Sequence, residues 1–324
     1  MESRLVGRRP VVSSAQLVAS LAPPPHFDHA TFASYVPDPA YPSQSSALAA
    51  AQSFAKGVQG TRRRSAGSGL YLDGGFGVGK THLLAAMAHQ VGKRAAFGTF
   101  LEYTSLVGAL GFAQARDALS EFRLVCIDEF ELDDPGDTLL MARLMRELAD
   151  AGVALAATSN TPPGALGEGR FAADEFRREI QSLASRFTVQ TIDGPDYRHR
   201  EARAIAAPAS DAEARAVADL PGGVTEVWPE LVADLAQVHP SKFAAYVDGI
   251  DVLGLTDVQP LPDQNAALRL VMLVDRLYEA DVRIVAAGHP LGDVFAEDML
   301  AGGYRKKYLR ALSRLAAMTG PDED

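Results

Sequence analysis

The sequence contains very little cysteine, and its one thiol, Cys126, cannot form an internal disulfide. Because Cys126 lies in the apolar run 124–127, we assign it to the core rather than to a reactive site. Apolar runs approaching the roughly 20 residues of a membrane span are absent, and residues 1–10 lack the apolar centre of a secretory signal. We therefore expect a cytoplasmic protein with no membrane-spanning segment.

Positive charge is also scarce in this chain. There are 31 lysines and arginines against 41 aspartates and glutamates, which gives a formal net charge of -10. This balance argues against nucleic acid or an anionic membrane as the main partner, although a local basic patch stays open. At 324 residues, of which 47% are apolar, the chain is long enough for two domains with ordinary cores.

Short apolar runs alternate with helical patterns through the middle of the chain, which predicts an α/β fold with a parallel sheet covered by helices on both faces. Strands are expected at 69–73, 95–102, 124–128, 154–159, 188–192, 247–255 and 283–287. Helices are expected at 45–58, from 80, and at 106–122, 138–150, 174–184, 265–279 and 303–318, with a surface helix or linker over 201–224. We divide the chain into an N-terminal extension and linker (1–66), a core (67–205) and a C-terminal α/β region (206–324).

The run Gly74-Gly75-Phe76-Gly77-Val78-Gly79-Lys80-Thr81 matches the pattern G-x-x-x-x-G-K-[ST] of a phosphate-binding P-loop, with an apolar strand before it and an apolar helix after it. The glycines let backbone N–H groups turn toward the phosphates. Lys80 adds positive charge there, and Thr81 offers its hydroxyl to Mg²⁺. His82 follows directly and is grouped with the nucleotide-binding residues by position, although its imidazole has no metal-ligand spacing. We predict ATP and Mg²⁺ as the ligands.

Two carboxylates end the apolar strand 124–128, at the sheet edge where the P-loop also opens. Asp128 is predicted to hold Mg²⁺, directly or through water. Glu129 is predicted to take a proton from the water that attacks the γ-phosphate, or to orient that water. Asn160 follows the next strand and either contacts this water or the γ-phosphate, or simply opens the turn before Pro162.

Hydrolysis also requires positive charge against the γ-phosphate, which an arginine of a lid or of a neighbouring subunit often supplies. The sequence alone does not distinguish between its candidates, which are Arg177, Arg178 and Arg186 in the core and Arg310 and Arg314 on the last helix. Arg310 and Arg314 share one helical face, as a lid helix over a nucleotide requires. If Arg186 completes a neighbour's site, the active form is a homo-oligomer.

The order of these elements resembles the AAA+ ATPases, and its details resemble one branch, the ZapE-type cell-division ATPases and their mitochondrial Afg-type relatives. The resemblance covers most of the chain from about residue 30. It rests on 69–72 running into the P-loop, Asp128-Glu129-Phe130 followed by Asp134 and Asp137, Thr158-Ser159-Asn160-Thr161-Pro162-Pro163, Asp196-Tyr197-Arg198, and Leu312-Ser313-Arg314-Leu315. The Asp-Tyr-Arg and Ser-Arg-Leu elements are more selective than the P-loop.

The resemblance also implies roles for individual residues. Asn160 would be the sensor-1 residue, Arg186 a candidate arginine finger, and Arg310 or Arg314 a sensor-2 residue that contacts the nucleotide. Residues 38–44 would lie near the adenine.

The same resemblance implies an ATP-driven remodeller of proteins that acts on the division-ring protein FtsZ or, in mitochondria, in protein quality control.

One alternative function is a DNA-associated switch of the helicase-loader or transposition-helper type, which the arginine triplet 62–64 permits and the net charge of -10 disfavours. Another is a small-molecule kinase, which shares the P-loop but needs no further region after the sheet. Stimulation by single-stranded DNA would favour the first alternative. Phosphate release without an added acceptor would count against the second.

Overall fold

The computed structural model describes residues 4–60, 69–75, 77–130, 135–162, 184–195 and 205–320. The chain divides into two compact units. The first, here called the P-loop unit, is Ser13–Arg200, and the second, the C-terminal unit, combines Met1–Val12 with Glu201–Asp324. This division differs from the three parts expected from the sequence, because residues assigned to an N-terminal extension pack inside one unit or the other.

The P-loop unit is built on five parallel strands, which are β1 (Gly69–Gly74), β2 (Ala95–Thr99), β3 (Leu124–Asp128), β4 (Ala154–Ser159) and β5 (Phe187–Ile192). Their order in the sheet is β2-β3-β4-β1-β5. Its described helices are α1 (Ser14–Ala19), α2 (Pro42–Gln59), α3 (Lys80–Val91), α4 (Phe100–Leu110), α5 (Phe112–Ser120) and α6 (Pro135–Asp150). This confirms the predicted α/β fold with a parallel sheet flanked by helices. The helix predicted at 174–184 lies almost wholly outside the described residues.

The second strand ends at Thr99, so the prediction that it runs to residue 102 is wrong. Thr99 caps α4 through a reciprocal pair of hydrogen bonds: its Oγ1 accepts the Glu102 N–H at 3.2 Å, and the Glu102 carboxylate accepts the Thr99 N–H at 2.7 Å. The single helix expected over 106–122 is also wrong, because Gly111 with φ of 80° separates α4 from α5. The first error arose because the capping box of Thr99 and Glu102 lies in an apolar run, which predicts a continuing strand.

Helix α2 is part of the core of the P-loop unit. Ala47, Ala51 and Ala55, spaced by four residues on one helical face, each have 0% exposure. They pack in one cluster with Leu83 of α3 and with Tyr35, which precedes α2. Most of the predicted N-terminal extension therefore belongs to the folded P-loop unit.

The C-terminal unit has its own parallel sheet, made of β6 (Gly223–Val227), β7 (Val252–Val258) and β8 (Arg283–Gly288) in that order. Its described helices are α7 (Asp211–Ala216), α8 (Trp228–Leu235), α9 (Phe243–Tyr246), α10 (Gln264–Glu279), α11 (Glu297–Ala301) and α12 (Arg305–Thr319). Two predictions were wrong. The helix or linker expected over 201–224 overlaps the first two residues of β6, a strand that the sequence did not predict. Strand β7 begins at Val252 rather than at 247, because a turn with Gly249 at φ of 74° precedes it.

Two further expectations from the sequence concern a core position for Cys126 and the lack of a membrane-spanning segment. Cys126 is fully buried in β3, and this burial raises the pKa of its thiol well above the ordinary value. That environment matches the predicted core role. Among the helices in the described parts of the chain, none combines the length and apolarity needed to cross a membrane.

The N-terminal residues are anchored in the C-terminal unit by a buried carboxylate, Glu226, whose side chain has 0% exposure. It accepts the backbone N–H groups of Leu5 and of Val6, the latter at 3.1 Å, and the guanidinium of Arg4 at 3.0 Å. A second contact joins Arg9 to Asp234 at 2.7 Å. Buried backbone N–H groups need such acceptors, so this anchor stabilises the unit.

We expect Glu226→Ala to destabilise the C-terminal unit by about 2–4 kcal/mol, because it leaves two backbone donors without their acceptor and removes one of the two carboxylates that bind Arg4. The chain's single tryptophan, Trp228, is buried in this unit and reports its denaturant unfolding by fluorescence. Glu230→Ala is the matched control, since Glu230 also binds Arg4 but its side chain is 54% exposed. Equal midpoint shifts for the two variants would contradict the anchoring role.

Candidate functional site

The carboxyl ends of β1, β3 and β4 meet at one edge of the sheet. Strand β4 lies between the other two, with Leu72 of β1 opposite Thr158 and Ile127 of β3 opposite Ala157. The predicted P-loop leaves β1 here, and Asp128 ends β3 beside it. Ligands of open α/β sheets bind at this edge, so the sheet brings the P-loop, Asp128 and the end of β4 to the expected place.

The backbone of the P-loop depends on glycine at two positions in particular. Gly79, at the amino end of α3, has φ of 86°, which is the left-handed region that favours glycine. At Gly74, with φ of 155°, a Cβ would lie 2.3 Å from the Ile192 carbonyl oxygen. Gly75, Gly77 and Val78 complete the described loop, and Phe76 lies outside the described residues.

Lys80 points its ammonium group into the site. Its Nζ donates to the carbonyl oxygen of Gly74 at 2.8 Å and to Asn160 Oδ1 at 2.9 Å, with a further bond to the Gly75 carbonyl. The structure therefore brings Lys80 and Asn160 together, although 80 positions separate them in the chain. A positive charge and an amide at one point of the loop suit an anionic ligand.

Thr81 and Asp128 form a pair of oxygen donors beside Lys80. Thr81 Oγ1 donates to the two carboxylate oxygens of Asp128 at 3.0 and 3.2 Å. A hydroxyl and a carboxylate this close, at the edge where phosphates would bind, fit the oxygen ligands that Mg²⁺ prefers. These two residues are the ones that could hold the metal.

Glu129 has an uncommon backbone conformation for a residue other than glycine, with φ of 53°. Thr158 of β4 holds it there. The Thr158 hydroxyl accepts the Glu129 N–H at 3.0 Å and donates to Asp128, while the Thr158 carbonyl accepts the Phe130 N–H at 2.7 Å. Strained backbone of this kind is concentrated at functional sites. Here it ends the extended conformation of β3 at the second of the two carboxylate residues.

Two residues of the site were missed in the sequence. In the sequence Thr158 is only part of a polar strand end. Its position after an alanine-rich strand, in a chain that also has a P-loop, is the signal that could have identified it. Asp73 was read as the last strand residue, but it is buried beside the loop and accepts the Thr191 hydroxyl at 3.3 Å. Burial raises the pKa of the Asp73 carboxyl, partly offset by hydrogen bonds and by Lys80.

Arg186 lies at the opposite edge of the sheet from the P-loop. Its carbonyl accepts the N–H of Gly69, the first residue of β1, and its guanidinium contacts Asp150 at 2.7 Å. A strand rises about 3.3 Å per residue, so the length of β1 separates Arg186 from the loop of its own chain by roughly 17 Å. The other core candidates, Arg177 and Arg178, lie outside the described residues.

The two arginines of the last helix share one acceptor inside the C-terminal unit. Arg310 Nη2 donates to Asp275 Oδ2 at 2.7 Å, and Arg314 donates to the other oxygen of the same carboxylate. Arg314 also stacks on Tyr278, with its Cζ 5.2 Å from the ring centroid. Asp275 thus holds both side chains, and a nucleotide contact by either arginine stays a prediction.

The His82 imidazole turns away from the loop toward residues 31–35. Its Nε2 lies 2.9 Å from the Thr31 carbonyl oxygen and 3.1 Å from Ser34 Oγ. The imidazole is thus engaged by Thr31 and Ser34, and a contact between His82 and nucleotide stays a prediction.

A family profile and a curated relative each match most of the chain. The sequence profile of the AFG1-like ATPase family matches residues 11–232 and 230–322. The cell division protein ZapE of Escherichia coli strain K12 is 29% identical over 295 residues, which cover 77% of this chain and 77% of that protein. An uncharacterized protein of Schizosaccharomyces pombe is 27% identical over 220 residues, covering 61% of this chain and 46% of that protein. Domain III of the Thermotoga maritima replication initiation protein DnaA is similar over 68% of this chain and 86% of that chain, with 22% identity and a TM-score of 0.42.

Proposed function

This chain belongs to the AFG1-like ATPase family, and on that premise we propose that it hydrolyses ATP to ADP and phosphate in a Mg²⁺-dependent reaction at the P-loop site. The observation that carries the proposal is the meeting of four side chains at one sheet edge as two hydrogen-bonded pairs, Lys80 with Asn160 and Thr81 with Asp128. These are the groups that phosphoryl transfer to water requires.

The proposal assigns a task to each side chain. Lys80 binds the β- and γ-phosphates, and Thr81 and Asp128 would hold Mg²⁺, which would neutralise phosphate charge. Glu129 accepts a proton from water as the water oxygen bonds to the γ-phosphorus and the bond to ADP breaks. Asn160, whose Oδ1 accepts a hydrogen bond from Lys80 in the structure, orients the water or the γ-phosphate.

We expect Lys80→Ala to weaken ATP affinity by about 10–100-fold, because a charge-assisted hydrogen bond contributes about 1.5–3 kcal/mol. The measurement is the rise in melting temperature caused by Mg·ATP, which follows occupancy of the folded state. Lys93→Ala, an exposed lysine just beyond α3, is the control and should keep the wild-type rise. A full rise in Lys80→Ala would contradict the assigned role.

The position of Arg186 supports a homo-oligomer as the active form. An arginine about a strand length from its own P-loop cannot reach the phosphate bound there, but a head-to-tail neighbour can present it to the next site. We propose that Arg186 is this arginine finger, and that turnover per subunit therefore rises with protein concentration.

We further propose that the energy of hydrolysis remodels a protein client, in cell division or in protein quality control, and that the protein acts in the cytoplasm. Support comes from the family and from similarity to a protein named for cell division. FtsZ polymer is the first client to test. ATP turnover raised by FtsZ polymer but not by single-stranded DNA supports this proposal, whereas salt-sensitive stimulation by DNA would favour a DNA-associated switch.

A further inference from the structure

Tyr35, which lies outside the P-loop motif and 43 positions before Val78, contacts the P-loop. The Tyr35 hydroxyl donates to the carbonyl oxygen of Val78 at 3.1 Å. Its ring lies against Gly79, where an added Cβ would be 2.5 Å from Tyr35 Cε2. Tyr35 thus holds two consecutive residues of the loop, one by a hydrogen bond and one by close packing.

The turn that carries Tyr35 is itself fixed to the first turn of α3. Within it, Ser34 Oγ accepts the Thr31 N–H at 2.9 Å and Thr31 Oγ1 accepts the Ser34 N–H at 3.0 Å. His82 contacts both of these residues through Nε2, and its ring centroid is 5.7 Å from that of Tyr35. Tyr35 is therefore presented to the loop by an ordered turn.

The direction of the Val78 carbonyl matters for an anionic ligand. A P-loop binds phosphate through N–H groups that point inward, and a carbonyl oxygen turned the same way would place partial negative charge against the phosphate. The bond from Tyr35 keeps the Val78 oxygen directed toward the 31–35 turn. The left-handed conformation of Gly79 then leads directly into α3.

We propose that Tyr35 is a positioning residue for nucleotide binding, which fixes the 78–79 peptide so that the loop presents N–H groups to phosphate. This inference rests on the proposed ATPase function and adds to it a residue outside the P-loop motif. The loop surrounds the phosphates in the ground state and in the transition state alike, so Tyr35 contributes equally to both. Its loss should raise KM and leave kcat unchanged.

The test is Tyr35→Phe, which removes the hydroxyl and keeps the ring. We expect the Kd for ADP, measured by calorimetric titration in Mg²⁺, and the KM for ATP to rise by about three- to tenfold, the value of one hydrogen bond. The kcat should stay within about twofold of wild type. Tyr35→Leu removes the ring over Gly79 as well and should weaken ADP binding further.

Tyr103→Phe is the matched control, because the Tyr103 hydroxyl is buried in the same unit and donates to a backbone carbonyl, that of Cys126, at the same distance of 3.1 Å. Both variants should lose similar thermal stability, and only Tyr35→Phe should lose ADP affinity. Equal ADP affinities in the two variants, or a fall in kcat without a rise in KM, would overturn the inference. If the wild type itself binds no ADP, the proposed function fails first.

Discussion

Glu129→Gln is expected to lower kcat for ATP hydrolysis by about 10²–10⁴-fold, since the amide keeps the shape of the side chain but cannot accept the proton of the attacking water. Affinity for ATP should stay within about threefold of wild type, because Glu129 acts in the transition state and does not hold the ground-state phosphates. Single-turnover hydrolysis measures the first quantity, and calorimetric binding of ATP to the variant measures the second.

The geometry allows the Glu129 carboxylate to be replaced without changing the backbone at that residue. Glu129 has φ of 53° and is held by its own N–H to Thr158 Oγ1 at 3.0 Å, a contact that does not involve the carboxylate. The backbone should therefore survive the change. Glu121→Gln, at an exposed position of the same unit, is the control and should hydrolyse ATP as the wild type does. Normal turnover by Glu129→Gln would refute its role as the base.

Arg186→Ala is expected to lower turnover by about 10³-fold, the scale of an arginine finger supplied by a neighbouring subunit. Loss of its ion pair with Asp150 could also cost stability, so Asp150→Ala serves as the control. That variant breaks the same exposed pair, which contributes at most about 1 kcal/mol, and keeps the arginine. Its turnover should stay near that of the wild type.

A mixing experiment separates a finger that acts on the neighbour from an arginine that acts within its own chain. Arg186→Ala has an intact Glu129, and Glu129→Gln has an intact Arg186. If each subunit's arginine completes the next subunit's site, a mixture of the two inactive variants should recover turnover at the Arg186→Ala sites. A mixture as inactive as its parts would count against a finger in trans.

Much of the fold could be predicted because apolar runs report buried strands directly. Strands β3 and β4 begin and end at the predicted residues, 124–128 and 154–159. The errors at Thr99 and Gly111 arose where helix caps interrupt an apolar run, since a cap depends on one or two residues rather than on a periodic pattern.

The central residues of the site could be predicted because a P-loop and a strand-ending Asp-Glu pair carry their chemistry in consecutive positions. Contacts between distant segments could not. Thr158 reaches Glu129 across 29 positions, Tyr35 reaches Val78 across 43, and Glu226 reaches Leu5 across 221. Pairings of this kind are decided by how the strands and turns pack, and a single sequence gives no pattern for them.

Phosphate release from Mg·ATP by the purified wild-type protein, with an equal preparation of Lys80→Ala as the blank, shows whether the P-loop site hydrolyses ATP. Lys80 lies at the point where the loop and Asn160 meet, so its loss weakens ATP binding and should lower the reaction at this site to a small fraction of the wild-type rate. We predict wild-type phosphate release well above the blank and dependent on Mg²⁺. Equal release by the two preparations would contradict ATP hydrolysis at this site.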